Sequence, residues 1–487
     1  MPYTLKDLGA VFRNTMYDTI CGGDGSLPPS KDSFVTWCSP GLPYTERDFD
    51  FAATGLGTAK DAEGEKAMLQ NAFNFAMQVD FIPDPKACYS NDKQQGVYRN
   101  EAGIRLSELY GEILRFSKVV DNDLTDEQKA KLEKFRGLLR TTRTVKDIVT
   151  DEEKQVTEDG PMLAAYKQKQ QEYITQQLAY NNKRVAAQAA SGPEGKAAVM
   201  DWSNNAQLYL MQVQAASDAW ASGGYKEDVE KINAYIQQVT QRSMLLWKQQ
   251  LDSYYKDALV NATAAGERFY YTTLAPGDFA SAPGWTSYHM DHAMLDTTSH
   301  DESTSWSAGG GVNFGFWSVE GGVHSESKTH DTTMTVDKFS LDFDMTQVQI
   351  IRPWFYPEFF VNRGWTLRPG EGWMFDQMPS DGATPPNGLF VGYPMQMLFV
   401  RNVRITSSAF SEAYHQYSSE VGANASVGWG PFTLSGDYNH KESGDHYHSE
   451  SDGATITVPG MQVIAFLNHL LGKTPDPLPE LKPEDFT

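Results

Sequence analysis

The sequence predicts an α+β fold with a helical N-terminal half and an antiparallel β C-terminal half, in which an internal duplication carries two amphipathic, Gly-rich hairpins. Two patterns indicate this class. Through most of residues 63–265, apolar side chains recur every three or four positions, which is the period of a helix. Beyond residue 266 they alternate with polar side chains around Gly-containing turns, which is typical of β-hairpins.

The first hairpin is predicted over residues 305–325, where two alternating arms flank a turn at Gly315. Large apolar side chains occupy one parity of both arms, while Ser, Gly, Asn and Glu occupy the other. One face of the hairpin is therefore apolar and the other polar. The large residues of the apolar face are Trp306, Val312, Phe314, Trp317 and Val319.

The second hairpin, over residues 420–440, repeats this pattern at a constant offset of 115 positions, so that Val312 corresponds to Val427. The offset holds without a gap, and residues 285–351 and 400–466 form two copies of one unit. The large residues predicted on the second apolar face are Val421, Val427, Trp429, Phe432 and Leu434.

The helical half contains several recognisable boundaries. Residues 1–62 are predicted to be loops with one short helix. Thr125 followed by Gln128 is a capping box, which starts a helix predicted to reach Val149. The polar side of this helix is basic. Its basic side chains are either exposed to solvent or paired with acidic neighbours, or they form a surface that binds anionic lipid. A further helix is predicted over residues 225–265.

These patterns divide the chain into four predicted regions. They are a mainly helical N-terminal region (1–155), a long helical hairpin or bundle (156–268), a duplicated antiparallel β domain (269–467) and a Pro-rich acidic tail (468–487).

Length and charge limit the functions to consider. A chain of 487 residues exceeds one ordinary core, and its formal charge of −22 disfavours nucleic acid, which we do not expect as a partner. Three cysteines form no disulfide framework. The N-terminus lacks the signal-peptide pattern. We therefore expect synthesis as a soluble cytoplasmic chain, which is then released to act at a target membrane.

All ten histidines lie between residues 289 and 469, close to the roots of the two hairpins. Histidine titrates near pH 6.5, so these roots are candidates for an acid-triggered switch, with ordinary polar surface as the alternative. His446 and His448 share one side of a strand, as metal ligands require, although the metal is unknown. The pH-switch or metal candidates are His300, His324, His330, His415, His440, His446 and His448.

Local catalytic motifs do not occur in a suitable setting. The sequence has no nucleophile elbow and no P-loop, and the Gly309–Gly311 run lies in a hairpin rather than before a helix. We therefore expect neither an enzyme nor a cofactor.

The order strand, hairpin, strand, long connection, strand, hairpin, strand across Trp285–Phe466 resembles that of the membrane-attack-complex/perforin and cholesterol-dependent-cytolysin proteins. Tyr447-His448 echoes a Tyr/His-containing motif of that family. In the family, two segments that flank a bent sheet rearrange into membrane-spanning hairpins. The soluble forms of those segments are helical clusters, whereas the present segments are predicted to be β already.

The resemblance implies a membrane-acting, oligomerising protein of pore-forming, toxin-like type in which both hairpins insert. Its expected partners are a lipid membrane and further copies of the chain. Nine residues in each outgoing arm approach the roughly 9–11 residues of a transmembrane strand. The alternative is a self-assembling structural or scaffold protein whose hairpins are static and packed in a sandwich core.

Overall fold

In the computed structural model, the secondary structure is described for most of the chain. The described residues are 3–21, 32–59, 61–85, 89–90, 93–98, 103–120, 125–146, 153–188, 192–261, 267–291, 317–320, 335–336, 338–421, 426–438 and 446–487.

The described α-helices lie mostly in the N-terminal half. They are α1 (Leu5–Ile20), α2 (Asp50–Thr54), α3 (Ala62–Val79), α4 (Leu106–Phe116), α5 (Asp126–Leu139), α6 (Pro161–Gln188), α7 (Gly192–Gly223), α8 (Lys226–Arg242), α9 (Met244–Asp257), α10 (Glu358–Val361) and α11 (Ser408–Val421).

The long strands lie mostly in the C-terminal half, which confirms the predicted α+β class. The described strands are β1 (Tyr3–Thr4), β2 (Ser33–Tyr44), β3 (Tyr89–Ser90), β4 (Lys93–Val97), β5 (Lys118–Val119), β6 (Arg140–Lys146), β7 (Glu153–Asp159), β8 (Leu259–Asn261), β9 (Arg268–Tyr270), β10 (Thr273–Ala275), β11 (Thr286–Asp291), β12 (Trp317–Glu320), β13 (Thr335–Val336), β14 (Ser340–Ile351), β15 (Trp365–Thr366), β16 (Gly392–Thr406), β17 (Ser426–Trp429), β18 (Phe432–Asp437), β19 (His446–His448), β20 (Glu450–Asp452) and β21 (Thr455–Leu470).

The chain divides into two compact units, residues 1–118 with 249–486, and residues 119–248. These boundaries differ from the four regions predicted from the sequence. The first unit combines N-terminal and C-terminal segments because β2, near the start of the chain, pairs with β21, near its end. Local periodicity carries no information about such long-range pairing.

The first unit contains one large sheet in the order β10-β14-β16-β21-β2-β4-β3, with β11 also paired to β14 and β20 to β21. Neighbours along β11, β14, β16, β21 and β2 are antiparallel, and β2 pairs with β4 in parallel. Side chains on successive positions point to opposite faces. Leu398 and Val400 accordingly enter one core, while Met397 and Phe399 enter the other.

Both faces of this sheet are covered. The first core contains residues of α1, α11, β17 and β18, and we call it the hairpin-side core. The second contains residues of α3 and of the segment around Phe49 and Phe51. Because both faces are buried, the sheet provides a rigid frame from which other segments depart.

The prediction of loops for residues 1–62 was wrong at β2, which is a central strand of the sheet. The stretch contains Pro40, Gly41 and Pro43, which disfavour strands in general. The register shifts between Trp37 and Leu42, so the ladder passes around these residues. A buried strand with an internal irregularity shows no alternation that a sequence pattern would detect.

The second unit begins with the predicted cap, since Gln128 N donates to Thr125 Oγ1 over 3.3 Å and Thr125 N donates to Gln128 Oε1 over 3.0 Å. The predicted helix to Val149 was wrong, because α5 ends at Leu139 and β6 follows. The β-branched residues of β6 favour the strand that pairs with β7. The predicted helix over residues 225–265 is likewise interrupted, giving α8 and α9.

Candidate functional site

The central part of the large sheet is a meander of β11, β14, β16 and β21, each paired antiparallel with the next. The chain leaves this meander between β11 and β14, and again between β16 and β21. We call these segments insertion 1 (residues 292–339) and insertion 2 (residues 407–454). Because Asp291 pairs with Ser340 and Thr406 pairs with Thr455, each insertion starts and ends on adjacent strands.

Both insertions depart from the same end of the meander, since Ser340 pairs with Thr406 as well. The two insertions are equal in length. The offset of 115 positions found in the sequence also relates Asp291 to Thr406 and Ser340 to Thr455, which are the strand ends that bound the insertions. The duplication is thus present in the three-dimensional arrangement, down to the residues at which the insertions begin and end.

Four described strands of the insertions form a second sheet in the order β12-β17-β18-β19, while β13 pairs with β1 and β20 with β21. Strand β12 comes from insertion 1 and places Trp317 opposite Trp429 and Val319 opposite Val427. Strands β17 and β18 form the predicted second hairpin around Gly430. Backbone hydrogen bonds therefore join the two insertions in one sheet.

The second hairpin lies inside the protein. Its predicted apolar residues with described side chains are all at most 1% exposed: Val427, Trp429, Phe432 and Leu434. The Phe432 ring centroid lies 5.3 Å from that of Phe12 in α1, and the Trp429 ring centroid lies 5.1 Å from that of Phe410 in α11. In this conformation the hairpin residues are part of the hairpin-side core.

The polar face of the second hairpin is buried as well, with Thr433 2% exposed and Ser435 1% exposed. Thr433 N donates to Gln462 Oε1 over 2.8 Å, and Gln462 Nε2 donates to Thr433 O over 3.2 Å. The Thr433 hydroxyl donates to Gly41 O over 2.6 Å. These three bonds fasten the hairpin to β21 and β2, where the sequence had predicted a polar face and no specific partner.

The outgoing arm of insertion 2 differs from its prediction. Val421 was expected to begin a strand, but it is the last residue of α11, and the strand begins at Ser426. Phe410, Ala413 and Tyr414 fall at helical spacing and enter the hairpin-side core. This spacing was the signal that would have identified the helix, and the alternation after residue 421 obscured it.

Several predicted residues lie outside the described part of the chain, and others have a described backbone only. Trp317 and Val319 belong to β12, and His446 and His448 belong to β19, opposite Asp437 and Ser435 of β18 respectively. The predicted residues outside the described range are Trp306, Val312, Phe314, His300, His324, His330 and His440.

His415 lies on the exposed side of α11, where its Nε2 is 3.0 Å from Ser451 Oγ of β20. This contact joins α11, at the start of insertion 2, to β20, near its end. Within the described ranges, no three His, Cys, Asp or Glu residues are grouped closely enough to hold a metal ion.

Two histidines that were not among the sequence-predicted candidates have surroundings that shift the pKa of the imidazole. His289 Nδ1 lies 2.6 Å from Asp342 Oδ1, and this hydrogen bond raises the pKa of the imidazole. A raised folded pKa stabilises the fold at acid pH, and this contribution is lost as the pH rises. Because the pair is exposed, the contribution is small.

His469 of β21 has the opposite behaviour. Burial lowers the pKa of its imidazole, against a smaller opposing effect of Asp32. Its ring lies 5.4 Å from that of Tyr393, between centroids. A lowered folded pKa means that the unfolded chain binds the proton more tightly, so protonation favours unfolding as the pH falls below about 6.5.

Comparison of the chain with protein-family models, curated proteins and solved structures gives no match. Among the helices of the described ranges, none combines the length and the apolar character that a membrane crossing requires.

The burial of hairpin 2 predicts that Val427→Asp strongly destabilises the protein. A carboxylate at a fully buried position has lost its hydration and has no cationic partner, which costs more than about 3 kcal/mol of unfolding free energy. Urea unfolding followed by circular dichroism measures the change. The control is Ser408→Asp, which introduces the same group at an exposed position in the first turn of α11 and is expected to change stability by less than about 0.5 kcal/mol. Equal midpoints for the two variants would show that the hairpin does not contribute to the core.

The surroundings of His469 predict that His469→Gln reduces the loss of stability at acid pH. Between about pH 7.5 and 5.5 the wild type loses the contribution of the neutral imidazole, and the glutamine variant has no proton to bind there. The measurement is the shift of the urea midpoint between the two pH values. His415→Gln, at an exposed position, serves as control and is expected to keep the shift of the wild type. A wild-type shift in His469→Gln would contradict the assignment.

Proposed function

We propose that this chain is a membrane-acting, oligomerising protein of pore-forming, toxin-like type, in which insertions 1 and 2 leave the body and enter a bilayer as β-hairpins. The observation that carries the proposal is that the small sheet of the insertions has the same register as the large sheet from which they depart. The two sheets can therefore become one if the one-residue shift at Val427 in the β17–β18 ladder is removed.

The register of β12 with β17 continues that of β14 with β16. Between the pair Ser340–Thr406 and the pair Trp317–Trp429, the two chain segments cover the same number of positions. An antiparallel ladder has this property only when both pairs belong to one register. The residues at the far end of the insertions are thus already paired as they would be in one continuous sheet.

At the pairs Trp429–Phe432 and Gly428–Thr433, the register of β17 with β18 likewise continues that of β16 with β21, and it shifts by one residue at Val427. Between Thr406–Thr455 and Trp429–Phe432, the two chain segments are again equal in length. Extension of the residues between these pairs gives a hairpin whose turn is the existing one at Gly430. Helix α11 and the short strands β19 and β20 are the described segments of insertion 2 that would have to change.

The dimensions fit a membrane. A strand that extends from Thr406 to Trp429 spans about 75 Å, more than twice what a bilayer crossing needs. About 9–11 residues at the tip suffice to cross the hydrocarbon core. In that form the side chains of Val427, Trp429, Phe432 and Leu434 exchange the protein core for lipid, which keeps them away from water in both states.

One of the segments that would rearrange is weakly held, which also supports the proposal, whereas α11 is held by Phe410 and Tyr414 in the hairpin-side core. Strand β20 folds back on β21 through three residue pairs, and its residues Glu450, Ser451 and Asp452 are all exposed. The tip is held more firmly by the bonds between Thr433 and Gln462. A trigger would have to release this buried contact, so the soluble form is stable until then.

A self-assembling structural or scaffold protein with static hairpins is the second candidate. It is favoured by the burial of both hairpin faces, since Thr433 and Ser435 are as enclosed as the apolar residues. The two candidates differ in whether β20 ever leaves β21. This difference is open to direct test.

The test is a reversible disulfide that is compatible with the folded-back form alone. Glu450 and Thr457 are direct partners in the β20–β21 ladder, so Glu450→Cys with Thr457→Cys places two Cα atoms about 5 Å apart, within disulfide range. In the extended hairpin these positions lie on one strand, about 23 Å apart. We expect the oxidised variant to lose dye release from liposomes and the reduced variant to recover it.

The matched control is Thr406→Cys with Thr455→Cys. These residues are partners in the β16–β21 ladder, with hydroxyl oxygens 3.1 Å apart, and they remain partners in the extended form. Oxidation of this pair is expected to leave dye release unchanged, with mass spectrometry confirming both bridges. Release by the oxidised Glu450–Thr457 variant at the wild-type rate would refute extension of insertion 2. Absence of release by the wild type at pH 7.4 and 5.5, on neutral and anionic vesicles, would favour the scaffold alternative.

A further inference from the structure

The first described segment of the chain contacts both insertions. Strand β1 runs directly into helix α1, and together they cover residues 3–20, which we call the N-terminal segment. Strand β1 pairs antiparallel with β13 of insertion 1, with Tyr3 opposite Val336 and Thr4 opposite Thr335. Helix α1 packs with the second hairpin in the hairpin-side core. One continuous segment therefore meets insertion 1 through its backbone and insertion 2 through its side chains.

Helix α1 is covered along one apolar side. Its apolar residues of this side recur at the spacing of a helix face, and all are at most 8% exposed: Leu8, Phe12, Met16, Tyr17 and Ile20. Helices in proteins owe most of their stability to the packing of such a face rather than to intrinsic propensity. The position of α1 therefore depends on the surfaces against which this side packs.

Phe12 lies between the hairpin and the large sheet. Its ring centroid is 5.3 Å from that of Phe432 in the second hairpin and 6.0 Å from that of Phe343 in β14. At the end of α1, the Gln347 side chain of β14 donates from Nε2 to Ile20 O over 3.2 Å. Helix α1 thus joins the hairpin that is proposed to leave to a strand that stays.

The pairing of β1 with β13 is incompatible with the extended form. Strand β14 lies between β11 and β16, so a continued ladder gives β13 a neighbour on each side. The register of β14 with β16 would place Val336 opposite Phe410 and Thr335 opposite Ser411. Both edges of β13 are then occupied, and β1 has no edge with which to pair. The N-terminal segment must therefore release insertion 1 before the insertion extends.

We propose that the N-terminal segment is an autoinhibitory contact, which holds both insertions in the folded-back form until it is displaced. The inference rests on the proposed function and adds the element that controls it. Extension removes both partners of the segment, since β13 pairs elsewhere and Phe432 leaves Phe12. Strand β1 contributes only two residue pairs, whereas α1 is held by a whole face. Displacement therefore starts at β1.

The strand contact is tested by two double variants that differ in the backbone N–H groups. Tyr3→Pro with Thr4→Pro removes both N–H groups of β1, one of which faces β13 whichever pair is the hydrogen-bonded one. Proline is tolerated at the start of a helix, so α1 is retained. Tyr3→Ala with Thr4→Ala removes the same side chains and keeps the N–H groups. We expect the proline variant to release dye from liposomes about fivefold faster than the alanine variant, which is the effect of about 1 kcal/mol on a rate.

The helix contact is tested by the same replacement on the two sides of the large sheet. Phe12→Leu weakens the contact of α1 with the hairpin, and Phe49→Leu makes the same change in the second core, which extension does not disturb. Phe12 and Phe49 are 0% and 1% exposed, so both variants lose stability, and urea unfolding measures how much. We expect Phe12→Leu to release dye about fivefold faster than the wild type and Phe49→Leu to release it at the wild-type rate.

Hydrogen exchange of β17 and β18 without lipid is a second readout of the helix contact. We expect these amides to exchange faster in Phe12→Leu than in Phe49→Leu, because the hairpin has lost part of its cover. A general loss of stability would accelerate exchange equally in both variants. Equal exchange at equal urea midpoints would show that α1 does not hold the hairpin and would overturn the inference, whatever the dye release.

Dye release at pH 7.4 and 5.5, on neutral and anionic vesicles, separates this inference from the proposed function. Release by the wild type that neither the proline variant nor Phe12→Leu accelerates beyond its control would overturn the inference and leave the insertion standing. Absence of release by the wild type and by every variant would refute the insertion, and the autoinhibitory role with it. Release by the proline variant where the wild type and the alanine variant are silent would support both.

Discussion

The antiparallel ladders of β14 with β16 and of β16 with β21 are the constraint on which the rest of the structure depends. They bring two distant copies of one sequence unit side by side and fix where each insertion starts and ends. Because the two faces of these strands pack against different cores, a shift by one residue would move every core side chain to the opposite core. The register at the root of the insertions is therefore fixed, and the register of the small sheet beyond them agrees with it.

This agreement gives a physical meaning to the buried hairpin. Its large side chains are enclosed on one face by α1 and α11, while Thr433 on the other face is bonded to Gln462 and Gly41. A hairpin that later enters lipid must keep its apolar face buried while the protein is in water. A static hairpin buries the same face, so burial alone does not distinguish the two roles. The coincidence of register does favour a hairpin that changes place, because a static insertion has no need to match the ladder at its distant root.

The two compact units separate two kinds of apolar surface. In the first unit, the predicted apolar hairpin residues of insertion 2 with described side chains are buried in the core, and Val427 and Phe432 are fully buried. In the second, Leu208 and Met211 remain on the outside of α7. Hidden apolar surface suits a stored, conditional activity.

The sequence by itself determined the α+β class, the duplication at an offset of 115, the β17–β18 hairpin and the cap at Thr125, because these depend on side-chain period and local hydrogen bonds. It did not identify β2, whose Pro and Gly residues are tolerated only because β21 pairs around them. It placed Val421 in a strand, although the core contacts of Phe410 and Tyr414 make that stretch helical. The tertiary structure alone decided that the two insertions share one register, since pairing between segments far apart in the sequence depends on the packing of the whole sheet.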